Sequence, residues 1–204
     1  MRRVSTSLLV LVTIVWGLAS AFGFWVLLDY ASTPGAEGIA HSDWPADTLL
    51  VVDHSRSTII VALHPHCPCS RATASELAEI MARCPGKAKV HVLFLKPSLF
   101  PSEWERTPLW DDVASIPDVQ VHCDEDGREI QRFGAFTSGQ VLVFNAGGKI
   151  LFRGGITAAR AHAGDNAGRE AILSLLTTGT LLRATTPVFG CPLFDPEIAT
   201  NPSR

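Results

Sequence analysis

Within six residues, His64-Pro65-His66-Cys67-Pro68-Cys69, the chain gathers two thiols and two imidazoles. A thiolate is both the nucleophile of disulfide exchange and a soft metal ligand, and imidazole suits copper and zinc. Redox chemistry and metal binding are therefore two readings of one motif. Position favours ionised sulfur in either. The apolar, β-branched run Thr58–Leu63 reads as a strand, and an amphipathic helix follows from near Ser70. The first turn of a helix offers unpaired N–H groups and the positive end of the macrodipole, so a thiol placed there loses its proton more readily.

In the redox reading Cys67 attacks, being nearer the exposed turn, Cys69 resolves, and His66 with the helix N-terminus lowers the thiol pKa. No cofactor is required. A Cys-x-Cys disulfide must hold its Cα atoms within ~4.4–6.8 Å across a very small ring, a strained arrangement that suits a reactive pair better than a structural one. In the metal reading His64, His66, Cys67 and Cys69 are candidate ligands for copper(I) or zinc. Four ligands in six residues wrap poorly around one tetrahedral ion, so a distant donor is expected, with His162 and Cys191 as the candidates. Cys191 has three competing roles: resolving thiol, ligand, or partner of Cys84 or Cys123 in a structural disulfide. The five cysteines cannot all pair within one chain.

The elements that must position this motif follow from periodicity. Strands are expected at Leu49–Val52, Thr58–Leu63, Lys89–Leu95, Val119–His122, Gln140–Phe144 and Lys149–Arg153, and helices at Ser70–Cys84, around Arg128–Phe133, and at Asn166–Leu176. Ala74, Leu77, Ala78, Met81 and Cys84 form an apolar stripe that should face a sheet. Asn145-Ala146-Gly147-Gly148 between two apolar runs signals a hairpin. In the polar run 157–169, Asp165 or Asn166 is expected to cap the last helix, with Arg160 and Arg169 solvated. The aromatic stretch Pro97–Pro117 shows no clear period. Cys123-Asp124-Glu125-Asp126-Gly127 resembles a calcium loop only superficially, because the further ligand spacing is absent.

Net charge is −3 with no basic stripe, which excludes nucleic acid as an expected partner. Ser7 to Leu28 is 22 residues without a charge. As a helix it covers roughly 33 Å, enough for a hydrocarbon core. Arg2 and Arg3 precede it and Asp29 follows, so the positive-inside rule places the N-terminus in the cytoplasm and the rest outside, on a single-pass anchor in the inner membrane. Ala19-Ser20-Ala21 offers a competing signal-cleavage site, but cutting there would leave an exposed apolar FGFWVLL terminus. Both readings put the cysteines where disulfides form. The expected organisation is an anchor over 1–29, a linker over 30–48, a globular domain over 49–177 and an extended tail over 178–204.

A thiol motif at a strand-to-helix turn, then βαβ, a hairpin and a closing helix, resembles the thioredoxin fold, an α/β mixed sheet flanked by helices. HPHCPCSRA, FGAFTSGQVLVFNAGGKILFRGGIT, ARAHAGDNAGR and TPVFGCPLF are similar to the membrane-anchored thioredoxin-like proteins labelled RedB. The resemblance implies a periplasmic thiol–disulfide oxidoreductase acting on exported protein thiols or a membrane redox partner. It also implies that the loop holding Ser138 and Gly139 presses on the thiols and orients substrate. Two departures stand out. The usual C-x-x-C is replaced by Cys67-Pro68-Cys69, with His66 at the first cysteine's position, and Gly139 stands where a cis-proline is usual. Copper-delivery proteins on the same fold pair two nearby cysteines with a remote histidine, which keeps copper as an alternative. A degenerate module with only a binding role is the third reading.

Overall fold

The computed structural model describes residues 5–36, 38 and 41–194. A helix α1 (Thr6–Ser32) is followed by β1 (Ser57–Leu63), α2 (Pro68–Arg83), β2 (Ala88–Lys96), α3 (Pro108–Ala114), β3 (Val119–Glu125), α4 (Arg128–Arg132), β4 (Gln140–Phe144), β5 (Ile150–Gly155) and α5 (Ala167–Thr178). The five strands lie in the order β3-β2-β1-β4-β5. The pairs β1–β2 and β2–β3 are parallel, whereas β1–β4 and β4–β5 are antiparallel.

β1 is central and covered on both sides, which explains its continuous apolar composition. Ile59, Val61 and Leu63 pack with α2, α3 and α5, through Leu77, Ile80, Trp110, Val113 and Ile172. Ile60 and Ala62 point the other way, towards Ile130 and Phe133 around α4. Burying one such side chain stabilises the fold by roughly 1.5–3 kcal/mol, so the alternation along β1 fixes which helix lies on which face. Cys84 belongs to the first core as expected from its stripe.

Several sequence expectations are corrected. Leu49–Val52 is not a strand: it has no place in the sheet, Leu49 and Val51 are exposed, and Glu129 pins the segment by accepting from Thr48 Oγ1 and the Leu49 amide. α3 lies inside the stretch that shows no clear period. Seven residues are too few to display one, but Leu109, Trp110 and Val113 still bury one face. α2 begins at Pro68 rather than near Ser70, since a proline at the first helical position gives up only an N–H that would be unpaired anyway. Nor is 30–48 a simple spacer. Trp44 meets Phe133 and Phe144 edge-on at 5.0 and 5.1 Å, and its amide donates to Gly148 O.

The described part of the expected tail beyond α5, residues 179–194, contains no helix and is built into the domain. Thr185 pairs in parallel with Arg153 on β5, closing the sheet edge. The chain then crosses to the loop before β4, where Pro192 pairs antiparallel with Thr137. α1 has no buried residue and is long and apolar enough to cross a membrane, with a mean hydropathy of 2.1.

A three-thiol candidate active site

The C-terminal end of β1 delivers the motif to the first turn of α2. Cys67 is the N-cap residue of α2 and makes no oxygen-type capping bond of its own. Two serines clamp the turn: the His64 amide donates to Ser70 Oγ and Ser138 Oγ at 3.2 and 3.1 Å, Ser70 Oγ returns a bond to His64 O at 2.7 Å, and the two hydroxyls meet at 2.7 Å. Ser138, expected at a substrate-orienting loop, is fully buried in this clamp. Gly139 donates its amide to Ala62 O, and its φ of +91° together with a Cβ position only 2.7 Å from Thr73 Oγ1 explains glycine there.

Cys67 and Cys69 are 4% and 3% exposed, so Cys67 is not at an open turn as expected. The tail packs against this pair. It places Cys191 Sγ 3.4 Å from Cys67 Sγ, and the donor atoms of Cys67, Cys69 and Cys191 all lie within 4.8 Å of one another. All five cysteines are free, and Cys191 sits at the motif rather than against Cys84 or Cys123.

The three sulfurs differ in acidity. Burial opposes ionisation of Cys67, but the Cys191 thiol and the amides of Ser70, Cys69 and Cys191 outweigh it and hold its pKa below the ordinary thiol value. Burial, then the neighbouring Cys67 charge, raises Cys69. Burial and the contact with Cys67 push Cys191 up to about 11. With Cys67 ionised, the proton of the 3.4 Å contact rests on Cys191.

The histidines lie elsewhere. His66 Nε2 is 3.1 Å from Trp104 O, and its ring lies 4.6 Å from that indole, while His64 meets the same indole edge-on at 5.4 Å. Burial, then His66, lowers the His64 pKa. His162 is exposed, 3.4 Å from Arg160 O. None of the three joins the sulfur cluster. The loop bearing Trp104 thus packs against the two histidines of the motif.

The polar run is structural in ways that its composition did not show. Asn166 caps α5 by accepting from the Arg169 amide at 2.8 Å. Arg169 is buried rather than solvated, because Glu76 of α2 accepts from its guanidinium at 2.8 Å and also from the Gly164 amide and Asn166 Nδ2. Arg160 is not free either: it lies over the Tyr30 ring and donates to Gly190 O beside Cys191.

No family model and no curated protein matches the chain. Among solved structures, it is similar to an uncharacterized conserved protein from Geobacillus kaustophilus, with 17% identity over 81% of this chain and 94% of that one and a TM-score of 0.57. A hypothetical protein from Sinorhizobium meliloti shares 14% identity over 80% of this chain and 96% of that one, at a TM-score of 0.54. A secreted disulfide oxidoreductase from Mycobacterium tuberculosis also matches, at 11% identity over 62% of this chain and 84% of that one, with a TM-score of 0.43. The fold is thioredoxin-like: a mixed five-stranded sheet flanked by helices, preceded by an apolar helix long enough to span a bilayer.

Proposed function

We propose that the protein is a RedB-type, membrane-anchored thiol–disulfide oxidoreductase whose redox pair is Cys67 and Cys191. The observation that carries the reading is a thiol of lowered pKa at a helix N-terminus, in contact at 3.4 Å with a second thiol of raised pKa. Cys67 thiolate attacks a substrate disulfide, a mixed disulfide forms, and one substrate thiolate leaves. That departing thiolate takes up the Cys191 proton, and the Cys191 thiolate so formed attacks the Cys67 sulfur and releases the second substrate thiolate. Substrate gains two electrons and the protein loses the same two as its own disulfide. Contact geometry supports Cys191 as the resolving thiol, since its sulfur lies 3.4 Å from the Cys67 sulfur. Cys69 is the third, buried thiol. The proposed setting is the inner membrane, with a cytoplasmic N-terminus, a periplasmic site, and exported thiols or a membrane redox partner as substrates.

Mild oxidation followed by peptide mapping tests this. A reversible Cys67–Cys191 disulfide is expected, absent in Cys67→Ser. Oxidised protein in which no cysteine pair forms reversibly sinks the reading.

The sulfur cluster favours a second reading, copper(I) binding. Tetrahedral thiolate ligation at about 2.3 Å places sulfurs about 3.8 Å apart, which lies between the 3.4 Å contact and the 4.8 Å limit found here. Cys67, Cys69 and Cys191 would supply soft donors, without His64, His66 or His162. One tightly held copper(I) per chain, lost in Cys69→Ser, is the expected result. Reduced protein that takes up none removes this reading.

A further inference from the structure

We propose that Gly190–Leu193 is a built-in stand-in for substrate: an extended segment that fills the binding cleft of the thiol site until a cysteine-containing peptide displaces it. The proposal rests on the exchange reading above. Its observations are separate ones, because they concern backbone pairing and access rather than sulfur acidity.

The Ser138 amide donates to Cys191 O at 2.9 Å, and the Leu193 amide donates to Phe136 O at 2.9 Å. These bonds flank the Thr137–Pro192 pair, so the segment is attached as one more antiparallel strand, in the manner by which extended peptides are captured at a free edge. Pro192 occupies the position at which no amide proton is needed. Gly190 comes so near the Ser138 carbonyl that a Cβ there would lie 1.8 Å from the oxygen. On one side of Pro192 the strand presents Cys191 to Cys67, and on the other it buries Leu193 in the core around Ile130 and Phe133. A bound peptide in the course of exchange requires the same three features: backbone pairing, a cysteine sulfur against the nucleophile, and a seated apolar side chain.

Access gives the second argument. At 4% exposure Cys67 cannot receive a sulfur from another molecule while this strand is in place. Upstream the tail is fixed by the Thr185–Thr186 pairing with β5, by the Gly35 amide bond to Val188 O and by the buried Val188, and Phe194 follows against Phe136; Gly190–Leu193 itself is held by two backbone bonds, the Arg160 bond to Gly190 O, and Leu193. The cleft therefore fits an extended peptide that reads small residue, cysteine, any residue without a needed amide, then a large aliphatic one. Return of the tail brings Cys191 back to the Cys67 mixed disulfide and ejects the product.

The test uses the reduced full-length protein in detergent, with alkylation of Cys67 by iodoacetamide followed by mass mapping. Gly190→Val expels the strand and is expected to speed Cys67 alkylation by about tenfold or more, the signature of a local opening made permanent. The synthetic peptide TPVFGSPLF should then restore protection. An unchanged alkylation rate, or no protection by peptide, overturns the proposal. A measurement needing no variant guards against misfolding: in wild-type protein the Leu193 amide should exchange about tenfold more slowly in the Cys67–Cys191 disulfide form than in the reduced form, and equal rates also overturn it. Wild-type disulfide exchange with unaltered alkylation removes the tail's role alone. Peptide protection, with no mixed disulfide at Cys67 when the disulfide-linked dimer of TPVFGCPLF is supplied instead, removes the exchange reading, and the stand-in role with it.

Discussion

Two helices begin near the thiol site, and their N-termini are closed in opposite ways. At α5, Asn166 accepts from the Arg169 amide, and Glu76 gathers the Gly164 amide, Asn166 and the Arg169 guanidinium into one buried network. At α2 the cap is a cysteine, followed by a proline that brings no amide of its own. The amides of Ser70 and Cys69 are left to favour charge on the Cys67 sulfur. The same electrostatic end serves stability in one helix and acidity in the other. Because α2 also carries Glu76, the stabilised terminus holds the reactive one in place.

The largest effect should separate the two functions. Cys67→Ser is expected to abolish disulfide exchange, while stability to denaturant is unchanged or rises by up to about 1 kcal/mol, since serine is the better cap. A loss of stability as large as the loss of activity would break the contrast. Arg169→Ala should do the reverse at the other terminus. It leaves Glu76 buried without its cation and should cost about 3–5 kcal/mol, read from the urea midpoint.

The pH dependence sharpens the same point. Cys67 alkylation should rise with a midpoint below that of an ordinary thiol and fall about tenfold per unit beneath that midpoint. Replacing Cys191 by alanine removes a proton donor and should move the midpoint upward. The sign for stability follows: a lowered thiol pKa contributes stability that is present above the ordinary value and lost as pH falls through the folded one. The smallest expected effect is that of Asn166→Ala, about 1 kcal/mol of stability with the Cys67 midpoint unmoved. A shifted midpoint would show that the two termini are not independent.

Much of the fold was legible because β1 and β2 are buried on both faces and so read as unbroken apolar runs. The hairpin and the α5 cap were legible because turns and caps are local. What stayed open depends on distance along the chain. Cys191 meets Cys67 across 124 residues, and nothing local distinguishes it from Cys84 or Cys123 beyond its setting in Gly-Cys-Pro. Glycine there turned out to matter for close approach. The histidines misled for a related reason: adjacency in sequence placed them in the motif, but Trp104, nearly forty residues on, draws their rings away from the sulfurs. Trp44 falls in the expected linker because a single aromatic among Ala, Gly, Ser and Pro carries no period, although it completes an aromatic cluster with Phe133 and Phe144.

One side chain sets the working range of the molecule. Arg160 stacks on Tyr30 in the last turns of α1, takes part through its amide in a bond to Ala31 O, and with the same guanidinium reaches Gly190 O beside Cys191. The amide of Gly35, just past the helix, donates to Val188 O of the tail. With α1 as the proposed span, the sulfurs are held close to the lipid surface rather than on a long tether. Collision partners would then be met by sideways diffusion in the plane of the bilayer or at its interface, and a bulky folded protein in free solution would be a poor geometric match. Encounter frequency would scale with surface density, so a partner sharing the same membrane is favoured by dimensionality alone.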